Sequence, residues 1–440
     1  MSPDWQLLTV GDLFNLVNGY AFKSSEFIEQ GVPVIKIKNV KAGYFSEHEF
    51  SYVHPKNLQS RKEKIAKVND LLISMSGNRH DGSQETWVGK VAFFNKNRDY
   101  LINQRVGALR VKDRNVCNER FASYVLSSIP YQNLFISIAT SSGGQANLSP
   151  SQILNAPFLM PPIESQISIG MLLGSLDDRI ALLRETNQTL EAIAQTIFKS
   201  WFVNFDPVVA KRQGLEPEGM DAETAALFPD AFEETELGAV PKGWTLEALD
   251  QNINFLNGLA LQKFPPTGIN DLPVIKIAQL RKGDVTGADL AANSIKPAYV
   301  VKDGDVLFSW SGSLEVEIWC GGCGALNQHL FKVSSPVYHK WFIYLWTRKY
   351  LNEFRQIAAG KATTMGHIQR SHLSAAKILV PDKRLLDTID SIISPLIDKV
   401  IENNLQVRSL SSLRDTLLPR LISGQLRLPD DAKQIVAETV

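Results

Sequence analysis

The chain has 440 residues, of which 44% are hydrophobic and 21% charged, with 46 basic side chains against 46 acidic. This is the composition of a soluble globular protein with two or three domains, and no apolar run approaches the ~20 residues of a membrane helix. Met1 to Asp12 lacks the basic-then-apolar order of a signal peptide, and three cysteines are too few for a disulfide framework, so a reducing, cytoplasmic setting is expected.

Within residues 1–160, Trp5-x-Leu7 is followed by Asn18-Gly19. Val34–Val40 alternates apolar residues with lysine and predicts a strand with Ile35 and Ile37 inward and Lys36 and Lys38 toward solvent. Leu71–Met75 and Val106–Val111 read as strands, and a helix is expected over Arg120–Ala139. A Gly-rich turn over Ser141–Ser149 and a closing strand come next. From Ile169 to Trp201 the apolar positions alternate steps of four and three, which is a heptad seam with one polar member, Asn187. This long helix occupies 161–206.

Residues 207–243 change character. From Asp206 to Lys242 there are nine acidic residues against three basic ones, with Pro207, Pro217, Pro229 and Pro241. An extended acidic linker with one short helix at Ala222–Leu227 is expected. The remainder of the neutral chain is correspondingly basic, so its net charge does not exclude a polyanionic partner.

Residues 244–381 repeat the first half. Trp244-x-Leu246 precedes Asn257-Gly258, and Pro33-Val-Ile-Lys-Ile37 returns as Pro273-Val-Ile-Lys-Ile277. Asp70-Leu-Leu-Ile-Ser-Met-Ser-Gly77 returns as Asp305-Val-Leu-Phe-Ser-Trp-Ser-Gly312, and Asn103-Gln104-Arg105 as Asn327-Gln328-His329. A helix over Tyr338–Ala358 and a turn over Gly360–Arg370 lead to a second heptad helix in 382–422, followed by a tail, 423–440. Each half is therefore an α+β domain closed by a long helix. Stretches that differ in length between shared landmarks suit one scaffold with two recognition surfaces.

The two asparagines orient the helices. In a parallel pair, Asn187 and Asn403 would each face an apolar residue, at a cost of about 1–3 kcal/mol per unpartnered amide. In an antiparallel pair they face each other, and Ile169 then meets Leu421 and Trp201 meets Ile389. Only Arg414, opposite Leu176, fits poorly. An antiparallel intramolecular coiled coil, its register fixed by Asn187 and Asn403, is expected.

Catalytic motifs are missing. Gly77-Asn-Arg-His-Asp-Gly82-Ser83 has the spacing of a phosphate loop without its lysine. Asn204-Phe-Asp-Pro207 lacks the second proline of an amino-methyltransferase loop and reads as a helix terminator. Trp319-Cys320-Gly-Gly-Cys323 has thioredoxin-like spacing, but a strand follows it rather than a helix, and only Cys117 is left as a further thiol, so it reads as a turn. No metal site is expected.

In its ordered duplication the chain resembles the specificity subunit of type I restriction–modification systems. The resemblance is carried by the Trp-x-Leu…Asn-Gly openings, the Pro-Val-Ile-Lys-Ile strands and the Asn-Gln-Arg/His pairs. It extends to Ser142-Gly-Gly-Gln-Ala-Asn-Leu148, Gly360-Lys-Ala-Thr-Thr-Met-Gly-His-Ile368 and Phe198-Lys-Ser-Trp-Phe-Val-Asn-Phe-Asp-Pro207. It implies two tandem target recognition domains, each reading half of a split site in double-stranded DNA, joined by helices that act as spacer and platform for two modification subunits. It also implies a chain without catalytic residues or cofactors of its own. S-adenosylmethionine would belong to the modification subunits, and ATP and Mg to the restriction subunits. A seam from Ile169 to Trp201 would be about 50 Å long at the helical rise, which places the two reading heads at most ~15 bp apart.

Under this reading Lys36, Lys38 and Lys276 suit phosphate contact. Asn78, Arg79 and His80, with Ser311 and Ser313 in the matching loop, offer donors and acceptors to base edges. So do Gln104, Arg105, Gln328 and His329, and in the turns Gln145, Asn147, Lys361, Thr363, Thr364, His367 and Arg370. Asn103 and Asn327, present in both halves, read as framework. Two other readings are a coiled-coil adaptor for a protein assembly, without salt-dependent DNA affinity, and an enzyme centred on the Cys-x-x-Cys.

Overall fold

The repeated strands build the same sheet twice. In the computed structural model, described for residues 5–428 except 82, 143, 237 and 361–365, Val106–Val111 lies between Phe14–Asn18 and Leu71–Ser74, and Val91–Phe93 pairs on the far side. The second half places Leu330–Ser334 between Asn254–Asn257 and Val306–Ser309, with Val316–Ile318 beyond. A parallel pair accompanies each sheet, Val32–Ile35 with Leu101–Ile102 and Leu272–Ile275 with Gly324–Leu326. The chain divides into two units, Met1–Arg179 with Ser411–Val440, and Ile180–Leu410. The fold is thus α+β, two tandem pseudo-repeated domains, each ending in a long helix.

Local structure departs from the sequence pattern in three places. The strand expected over Val34–Val40 ends at Ile35, and a 3-10 turn covers Ile37–Asn39. Asn39, fully buried, accepts the Lys36 N–H at 3.0 Å and donates to the carbonyls of Ser46 and His48. That cap draws the chain out of the sheet, and Gln279 does the same for Lys276 at 3.3 Å. The helix expected over Arg120–Ala139 is two, Glu119–Leu126 and Ile129–Ile138, since Pro130 starts a new helix. Likewise Tyr338–Ala358 is realised as Lys340–Lys349 and Leu351–Ala359.

The acidic segment is folded rather than extended. It contains the helices Asp206–Arg212 and Ala222–Leu227 and a hairpin of Phe232–Thr235 with Gly238–Pro241. Three of its apolar side chains explain this, because Val208, Phe228 and Val240 are buried in one core with Trp201, Phe202 and Trp244. Its acidic residues are thereby left on the outside.

The first long helix runs over Ile163–Lys199 and the second over Lys383–Ile422. A π-turn at Ser200–Asn204 follows the first, and Phe205, at φ 58°, ends it. In the first unit Ile169, Leu173 and Leu421 are buried in the domain core beside Phe121 and Phe158. Arg414 reaches Asp177 Oδ1 at 2.7 Å instead of lying against Leu176. In the second unit Asn187 and Asn403 are hydrogen-bonded to each other. No helix among the described residues is long and apolar enough to cross a membrane.

Candidate nucleic-acid interface

In each half the Asn-Gly turn is pressed against the Asn-Gln pair. A Cβ on Gly19 would lie 2.0 Å from the Asn103 carbonyl oxygen, and one on Gly258 2.2 Å from that of Asn327. Only glycine permits this approach. Asn103 N–H in turn donates to the Ile35 carbonyl at 3.0 Å, as Asn327 does to Ile275 at 3.3 Å. Lys36, Gln104 and Arg105 therefore emerge together where the parallel strands end, and Lys276, Gln328 and His329 emerge likewise. Asn327 is buried and its Oδ1 accepts the His329 N–H at 3.2 Å, a framework role.

The Gly-rich turn completes a polar triplet. In the first unit Ser76 Oγ donates to Asn147 Oδ1 at 2.7 Å, and Arg105 Nη1 donates to Asn147 Oδ1 at 3.0 Å and to Ser76 Oγ at 3.2 Å. The hairpin of Thr140–Ser142 with Gln145–Asn147 holds Asn147 there by pairing it with Ser76. In the second unit His367 pairs with Ser311, and Ser311 Oγ is 2.9 Å from His329 Nδ1. The Trp310 ring lies 6.1 Å from His329 and 6.2 Å from His367, centroid to centroid. Matching backbone bonds, Leu148 to Met75 and Ile368 to Trp310, fix the correspondence. Arginine, serine and asparagine in one half stand where histidine, serine and histidine stand in the other.

Residues 3–192 match the family model described as the type I restriction modification DNA specificity domain. The chain is also 25% identical over 483 residues to the type I restriction enzyme HindI specificity subunit of Haemophilus influenzae, across 96% of this chain and 100% of that one. It is 27% identical to the MjaIX specificity subunit of Methanocaldococcus jannaschii, across 66% of this chain and 65% of the relative. The crystal structure of a type I S subunit from M. genitalium has the same fold, with a TM-score of 0.59 at 14% identity over 96% of each chain. The family resemblance read from the sequence therefore holds.

The other candidate residues of the first half and of its repeat are placed as follows. Lys36 Nζ donates to Ser51 Oγ at 2.7 Å and sits 4.1 Å from the Phe27 ring centre; burial, then Lys38, lowers its pKa. Lys38 pairs with Glu49 at 3.1 Å, and Lys276 pairs with Asp289. Asn78 Nδ2 donates to Thr86 Oγ1 at 3.0 Å. Arg79 donates to the carbonyls of Ile136 and Ala139 at 3.3 and 2.6 Å, which engages its guanidinium at the end of a helix. His80 Nε2 is 3.1 Å from Asn133 Oδ1. Gln104, Gln145, Ser313 and Arg370 are exposed, with Arg370 Nη2 on the Phe255 carbonyl at 3.1 Å. Lys361, Thr363 and Thr364 lie outside the described residues. Ser76 escaped the sequence reading, although its match to Ser311 in the Ser-x-Ser-Gly repeat was the available signal.

The Cys-x-x-Cys forms a turn between the strands Val316–Ile318 and Gly324–Leu326. Trp319 Nε1 closes it on the Gly322 carbonyl at 2.6 Å. Burial pushes the Cys320 thiol up to about 11, the opposite of a redox-active thiolate. Among the described residues no three potential ligands gather around a metal position.

Proposed function

We infer that this chain is the sequence-specific DNA-recognition subunit of a type I restriction–modification complex, with each half reading one part of a bipartite site. The observation that carries this is the duplicated triplet. One framework presents Arg105, Ser76 and Asn147 in the first half and His329, Ser311 and His367 in the second. Equal scaffolds with unequal donors and acceptors are what two different half-sites require, because base edges differ in their hydrogen-bonding pattern.

In this reading the paired helices set the spacer and dock two modification subunits, and restriction subunits join that assembly in the cytoplasm. The chain contributes recognition, while S-adenosylmethionine, ATP and Mg bind on those partners. Co-expression with a type I modification subunit, followed by mapping of N6-methyladenine in host DNA, tests it. The expected result is a split motif with one methylated adenine per half, and exchange of residues 1–160 for those of a relative changes one half only. A continuous motif, or no methylation that depends on this chain, overturns the reading.

A further inference from the structure

The reading of the first half extends to a particular base. Arg105 is exposed, yet its guanidinium is held at one nitrogen. Nη1 donates both to Asn147 Oδ1 and to Ser76 Oγ, and these two are bonded to each other at 2.7 Å. Ser76 is 3% exposed, so the anchor itself is fixed. Nε and Nη2 have no partner among the described residues, and they are the two parallel donors along one side of the guanidinium. A side chain normally loses rotamer freedom when it binds, and here part of that loss has already occurred on folding. Arg79, the neighbouring arginine, is the contrasting case, since Nε, Nη1 and Nη2 all bond within the domain.

We propose that Arg105 reads a guanine in the half-site bound by the first unit, presenting Nε and Nη2 to O6 and N7, with Ser76 and Asn147 as the positioning residues. Two parallel donors match the two acceptors that guanine shows in the major groove, and no other base shows that pair. The position equivalent to Arg105 is His329, a side chain without a donor fork, so the second half-site has no guanine requirement from this position. The inference rests on the DNA-recognition reading given above.

The test uses the full chain co-expressed with a type I modification subunit, and a randomised duplex library selected by binding and then sequenced. For the unmodified chain the selected motif contains a guanine in the half that follows residues 1–160. Arg105→Lys keeps the charge but removes the fork. It lowers the preference at that one guanine by about tenfold or more and leaves the other half-site unchanged. Asn147→Ala lowers the same preference by a smaller factor without selecting a different base. If Arg105→Lys retains the motif, and Arg105→Ala only weakens binding uniformly with a shallower salt dependence, the side chain contacts phosphate and the proposal is overturned while DNA recognition stands. If the unmodified chain selects no split motif, the underlying reading fails as well.

Discussion

The side-chain amide of Asn403 donates to Asn187 Oδ1 across 2.8 Å, with both residues buried. Asn187 Nδ2 in turn donates to Asn404 Oδ1 at 2.9 Å and to the Val400 carbonyl at 3.2 Å. The pair satisfies itself only in one antiparallel register. Asn187→Leu should therefore cost about 1–3 kcal/mol, because the Asn403 amide loses its acceptor. The double change to leucine should cost less than the two single changes together. Urea unfolding of the four chains measures the coupling, and strict additivity would show that the two amides act independently.

Arg414 occupies a seam position that an apolar side chain would fill, and Asp177 makes that tolerable. Asp177 Oδ1 accepts from Arg414 at 2.7 Å, and its Oδ2 accepts the Tyr124 hydroxyl at 2.5 Å. Asp177→Ala removes this acceptor from the Tyr124 hydroxyl and leaves Arg414 paired with Asp415 alone, and should destabilise the first unit by roughly 1–3 kcal/mol. Its neighbour Asp178 pairs with Arg120 at 2.7 Å but is 61% exposed. Asp178→Ala should cost less than about 1 kcal/mol. Equal losses in thermal unfolding would contradict the distinction.

Glu317 gives the second unit a pH dependence. Burial lifts its carboxyl from the ordinary 4.5 to about 7, opposed by Arg348 and reinforced by Glu191 and Glu315. The folded chain then holds a proton that the unfolded chain has released, so this contribution to stability is present at low pH and is lost as pH rises between those two values. Glu317→Gln should flatten the slope and stabilise the chain at pH 8 by roughly 1–3 kcal/mol. Unfolding at pH 5 and pH 8 checks it; an unaltered difference between the two would refute the assignment.

Gly19→Ala and Gly258→Ala each drive a Cβ into a carbonyl oxygen of the Asn-Gln pair, at 2.0 and 2.2 Å. The backbone must shift, at an expected cost of roughly 1–3 kcal/mol. Gly214→Ala meets nothing within 4 Å, although its φ of +73° adds some strain. It should be milder than either. Thermal melts of the three variants give the ranking.

Cys323 is exposed, whereas Cys117 and Cys320 are buried, with their thiols raised to about 12 and about 11 by burial. Iodoacetamide at pH 8 should alkylate Cys323 first, as read by mass spectrometry of the peptides. Cys320→Ser should leave DNA selection unchanged. Loss of selection in that variant would revive a functional role for the motif.

Much of the framework was legible in local sequence because it is written twice. Val106–Val111 is a strand over the expected residues. The errors have a common origin. The end of the strand at Ile35 depends on Asn39, whose amide is fixed by carbonyls at Ser46 and His48, and alternation of apolar residues carries no record of that cap. The acidic segment was read by its charge, whereas three apolar side chains with a prepared aromatic surface to cover them decided its fold.

By itself, then, the sequence determined the duplication, the α+β class of each half and the pairing of two heptad helices through Asn187 and Asn403. These follow from periodicity and from the cost of burying an unpartnered amide, both of which can be counted along the chain. Only the tertiary structure decided which polar side chains act together. Ser76, Arg105 and Asn147 are far apart in sequence and meet because a hairpin pairs with the edge at Ser76–Gly77. The same packing engaged Arg79 within the domain and left one side of the Arg105 guanidinium open. A hydrogen bond depends on direction and on distances of a few tenths of an ångström, and those are set by packing across the sheet.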